Sequence, residues 1–199
     1  MIFEEVFWSF FPIFLTFFAI YMYTYADQNA SVKQNEAELS FLYKYQKEAI
    51  VRPIAASFQG WQVFAFASSC AMYFVPAWAF NNALTNFRGQ TIGYTEIGFT
   101  SMCALVIIHH VILVISTRNW TLFLVRWYLL SIGLLFLIIA INDLMTINAD
   151  LFQSEYFIVM HTPQYWLSLL LTVGMVCIPY YLVQSVWYLI LFPKYKPTA

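Results

Sequence analysis

Residues 97–116, IGFTSMCALVIIHHVILVIS, decide the fold. They hold no Asp, Glu, Lys or Arg and are apolar on every side of a helix. At ~1.5 Å rise per residue such a helix covers ~30 Å, the hydrocarbon thickness of a bilayer. The run lacks the strict alternation of a membrane β-strand. Within lipid every backbone N–H and C=O must be paired inside the chain, which leaves a helix.

Four further runs of this kind flank it, near 6–25, 61–80, 121–141 and 165–191. The last is 27 residues long, which implies tilt, a kink at Pro179 or an extension past the hydrocarbon. The 199 residues are 62% hydrophobic and 10% charged, far from the balance of a water-soluble domain. The expected fold is therefore all-α: a polytopic integral membrane protein with five transmembrane helices, residues 1–199 forming one membrane domain. A net charge of −1 offers no basic field for nucleic acid. Cys70, Cys103 and Cys177 all lie inside apolar runs, so a disulfide framework is not expected. The first run follows Glu4 and Glu5, unlike the positive start of a cleaved signal peptide, and the chain reads as complete from Met1.

Basic residues between the spans set an orientation. Arg88 stands alone on one side; Lys33, Lys44, Lys47, Arg52, Arg118, Lys194 and Lys196 share the other. The positive-inside rule then places the C-terminus and the 26–60 loop on the cytosolic or matrix side. Within that loop, residues 35–50 read as a short amphipathic helix, with Leu39, Leu42 and Tyr43 on one face. Arg52-Pro53 ends it.

Three ionisable residues stand inside spans, where such groups are rare and often functional. His109 and His110 point ~100° apart on a helix, so they cannot share one metal ion. Neither has a His, Cys, Asp or Glu three or four residues away. A neutral imidazole bonded to a neighbouring helix is the favoured role, with haem binding or proton relay as the alternatives. Arg126 lies about five residues inside its span, ~7–8 Å deep, and can snorkel to the nearer surface. No metal, cofactor or catalytic residue is assigned. Phosphate-binding glycine loops, G-x-S-x-G, H-E-x-x-H and C-x-x-C are all missing from the sequence.

An ordered series of landmarks resembles the last five membrane helices of the phospholipid flippases, a subfamily of P-type ATPases. Phe7-Trp8-Ser9-Phe10-Phe11-Pro12-Ile13 is similar to the family's Phe-Thr-x-Leu-Pro-Val at the start of its sixth helix. Asp27-Gln28-Asn29, Leu42-Tyr43, Phe58 with Trp61, and Phe74-Val75-Pro76 stand where the family has matching motifs through its seventh helix. Gly89, Gly98, Thr100, Trp120-Thr121, Ser131-Ile132, Pro163, Tyr165-Trp166-Leu167, Pro179 and Phe192-Pro193 continue the series to the tenth. The resemblance implies lipid contacts at Ser9 and Pro12, because only the first span would correspond to a lining helix of the lipid path. It departs at Glu5, near the place of a polar Asn at the family's lipid site. The phosphorylated Asp-Lys-Thr-Gly-Thr motif does not occur in these residues.

The resulting expectation is a protein that is not an enzyme: a non-catalytic accessory subunit of a larger assembly, derived from a flippase-like membrane domain. Its partners would be other integral membrane subunits and membrane phospholipids. A respiratory-type complex of the mitochondrial inner membrane is the expected host, with an endomembrane as the other location. The alternative is the membrane half of a split phospholipid-translocating ATPase.

Overall fold

The computed structural model describes residues 16–26, 54–81, 93–117, 120–148 and 155–191. Among these, every regular element is a helix: α1 (Phe18–Ala26), α2 (Ile54–Asn81), α3 (Tyr94–Ser116), α4 (Leu122–Asn148), α5 (Glu155–Met160) and α6 (Pro163–Leu191). The chain is an all-α membrane protein. Four described helices are long and apolar enough to cross a bilayer, over Phe58–Phe80, Glu96–Ser116, Leu122–Ile141 and Pro163–Val186. That is one fewer than the five expected. Only the last turns of the 6–25 run, α1, belong to the described residues, and the amphipathic helix expected over 35–50 lies outside them.

The helices start and stop for local reasons. At the start of α3 the Glu96 carboxylate accepts the Gly93 N–H at 2.7 Å, closing one half of a capping box. The α3 end turns out at Thr117, whose N–H still reaches the Leu113 carbonyl at 2.9 Å. Thr121 begins α4 by accepting the Leu124 N–H on its hydroxyl at 3.3 Å. Pro163 opens α6 at the first helical position, where its missing N–H costs nothing. Both α2 and α6 continue through an internal proline, Pro76 and Pro179.

Boundaries differ from the sequence expectation in three places, the first at α2, which begins at Ile54 inside the expected 26–60 loop. Helix α4 runs on to Asn148 because residues 142–148, NDLMTIN, contain neither Gly nor Pro to stop it. The expected 142–164 loop also contains α5, a six-residue turn of helix packed against α3, α4 and α6.

Helix α3 is the centre of the bundle. Half of its spanning window is buried, against 22–28% for the other three spans. Helices α2, α3 and α6 pack against one another, and α1 lies chiefly against α4. At one end, Phe99, Met102, Cys103 and Val106 of α3 pack with Leu135 and Ile139 of α4, Val159 of α5 and Tyr165 of α6. Ala104 and Ile108 meet Val176 and Cys177 of α6 in mid-bundle. At the other end, Leu113 packs with Ala19 of α1 and Leu124 and Tyr128 of α4. The three cysteines are free thiols.

Lipid is as apolar as leucine, so burying leucine does not itself drive these helices together; close packing and interhelical hydrogen bonds do. The buried polar residues fit that requirement. Thr100, Thr172, Ser168 and Ser68 are small, lie at helix contacts and return their hydroxyls to carbonyls of their own helix at 2.7–2.9 Å.

Candidate functional site

The polar groups of the bundle converge on the second half of α3. His110 is buried, and its Nδ1 lies 2.8 Å from the Val106 carbonyl. A carbonyl can only accept, so Nδ1 carries a proton and donates it. In the neutral ring Nε2 is then the acceptor, and the Ser131 hydroxyl of α4 donates to it at 2.9 Å. One imidazole thus ties α3 to α4 while using both nitrogens.

His109 faces a different neighbour. It hydrogen-bonds the backbone of Thr16, just before α1, and its buried Nε2 has no partner among the described residues. The two imidazoles stand edge to face, 5.8 Å between centroids. Adjacent positions on one helix therefore reach two different elements, as the ~100° rotation between them requires. Among the described residues no group of three or more His, Cys, Asp or Glu could hold a metal ion.

About two turns further on, tyrosines from three helices reach the end of α3. The Thr117 hydroxyl donates to the Leu113 carbonyl at 2.8 Å, so the Tyr128 hydroxyl of α4 donates to Thr117 Oγ1 at 3.0 Å. Tyr23 of α1 donates to the Ser116 carbonyl at 3.3 Å. Tyr180 of α6 meets the Ser116 hydroxyl at 3.0 Å, and its ring packs against Trp61 and Phe64 of α2.

Arg126 occupies the outer surface of α4, exposed, one turn beyond the helix start. Neighbouring Trp127 packs edge to face against Phe18 of α1 at 4.9 Å and against Phe123 at 5.8 Å. Of the residues singled out in the sequence, His109 and His110 stand together, Arg126 stands apart on α4, and Ser9 and Pro12 lie outside the described residues. Sequence reasoning named Ser131 only as a family landmark, not as the partner of His110, and did not single out Tyr23, Tyr128 or Tyr180. Ser131 is 21 residues from His110 with no local pattern linking them. Tyr23 carried a weak signal, since it falls near the end of the 6–25 run, where a hydroxyl finds polar partners, whereas Tyr128 and Tyr180 lie well inside the 121–141 and 165–191 runs.

Among the described residues, three spans, α2, α4 and α6, pack around a fourth, α3. The family of the phospholipid-translocating P-type ATPase C-terminal domain matches residues 1–194. The chain belongs to that family. Among curated proteins none matches it. Membership agrees with the resemblance drawn from the ordered motifs. It also corrects the expectation that the protein is not an enzyme: the domain family is part of ATPases that move phospholipid. That expectation was drawn from the missing phosphorylation motif. The motif is missing from these residues, but its absence does not detach the domain from an ATPase family.

Proposed function

We propose that these residues form the C-terminal membrane scaffold of a phospholipid-translocating P-type ATPase, the ATP-hydrolysing part lying outside the 199 residues. The family match across residues 1–194 carries this reading. Within it, α3 is the fixed axis: α1, α4 and α6 each bond to it through a side-chain hydroxyl, so the helices hold a defined arrangement against the parts that move. Side chains outnumber backbone groups in these links, and among the described residues two buried side-chain polar atoms lack a partner, His109 Nε2 and Gln184 Oε1. The narrower form of the proposal is a support for other integral membrane subunits, without a transport path of its own.

The test is ATP-dependent transfer of a headgroup-labelled phospholipid across the native membrane, with and without this chain. Loss of transfer on deletion, together with co-purification of a protein phosphorylated on Asp, supports the proposal. Unchanged transfer, or co-purification with a respiratory-type inner-membrane complex instead, removes it.

A further inference from the structure

Arg126 is a full positive charge on a surface otherwise built to face hydrocarbon. Its helical neighbours Leu122, Phe123, Leu129 and Leu130 are each 45–78% exposed. The guanidinium itself has no ion pair or hydrogen bond among the described residues. Among side chains the structure describes, the one carboxylate is Glu96, which is bonded to the Gly93 N–H. It stands 20 residues from Ser116, so ~30 Å away along α3 at the opposite end of the bundle.

An unpaired cation in a low-dielectric surround is costly, and its position shows where relief is available. Arg126 is four residues from Leu122, the first residue of α4, so ~6 Å along the axis. Side chains on a helix lean toward its N-terminus. The long arginine stem therefore leans toward the membrane surface, along the exposed Leu122 and Phe123, and delivers its head to the depth of lipid phosphates. The first turn of α4 contains no acidic residue, so the positive end of the helix dipole adds to the same field. Beside it, Phe123 and Trp127 form an aromatic wall suited to the glycerol and upper acyl region.

We propose that Arg126 is a boundary-lipid site, its guanidinium holding the phosphate of an anionic phospholipid against the exposed outer surface at the start of α4. The planar fork matches two phosphate oxygens, and an anionic lipid leaves that phosphate charge uncompensated by its own headgroup. This site does not depend on the transport reading, since it needs only the exposed cation and a bilayer.

The test uses the full chain in detergent, titrated with phosphatidylglycerol and separately with phosphatidylcholine, bound lipids being counted by native mass spectrometry. Wild type is expected to retain one phosphatidylglycerol more tightly than any phosphatidylcholine. Arg126→Gln is expected to weaken that tightest site roughly tenfold, with Arg126→Lys falling between the two. Circular dichroism of each variant reports that the helices are intact. Equal affinity for the two lipids, or phosphatidylglycerol binding unchanged in folded Arg126→Gln, overturns the proposal. So does cross-linking in the membrane that pairs position 126 with a carboxylate of another protein.

Discussion

Between Glu96 and Val106, α3 is gripped by rings and aliphatic side chains, whereas between Leu113 and Thr117 it is gripped mainly by hydroxyls. At the first end Phe99 stacks on Tyr165 at 5.9 Å and packs at a tilt against Tyr156 at 4.5 Å, while Trp166 donates to the Met160 carbonyl and pins α5 to α6. At the second end Tyr23, Tyr128 and Tyr180 close on two residues. The contrast follows from what hydrocarbon permits. Many small dispersion contacts hold only if no void is left, so the ring-packed end is intolerant of truncation. Interhelical hydrogen bonds in membranes contribute individually little, ~0.6 kcal/mol on average, so the hydroxyl end spreads its hold over several.

The largest effect is expected at the packed end. Tyr165→Ala removes a ring that touches Phe99 and a hydroxyl bonded to Cys103, and should cost about 2–4 kcal/mol of unfolding free energy in mixed micelles. A cost below that of any single tyrosine hydroxyl would reverse the comparison. Next comes His110→Ala, which strips the bond to Ser131 and leaves a cavity; about 1–2 kcal/mol is expected. A double-mutant cycle with Ser131→Ala sharpens this: coupling of roughly 0.6 kcal/mol, at most ~1.7, marks the bond itself. Zero coupling would mean that His110 acts through shape alone.

Smaller again is Tyr180→Phe, which keeps the ring against Trp61 and Phe64 but deletes the bond to Ser116. Its melting temperature in detergent should fall slightly, matching about 0.5 kcal/mol, and adding Tyr23→Phe should roughly double the loss. The smallest change belongs to the lipid-facing surface. Leu167→Ala, on an exposed position of α6, should shift the unfolding midpoint by less than about 0.5 kcal/mol. A larger shift would show that this face packs against something other than lipid.

How much was legible in advance follows the same division. The runs at 61–80, 97–116, 121–141 and 165–191 coincide with described helices that can span a bilayer, because length and continuous apolarity are local properties. Residues 155–160 escaped notice, since six residues amid a polar link carry no periodicity. The His109–His110 pair was visible as a pair of costly side chains, and the ~100° rule already separated their partners. Which partners they meet was invisible, because Ser131 and Thr16 sit on other elements.

The amino-acid order alone therefore determined that this chain is helical and membrane-embedded, and its ordered motifs carried the family. In hydrocarbon a backbone must satisfy its own hydrogen bonds, so a long apolar run has one stable form whatever surrounds it. The tertiary structure decided that α3 is the axis, which hydroxyls reach it, and that Arg126 faces outward. Helices apolar on every side give no preference for one face over another, so only their mutual packing selects what is buried.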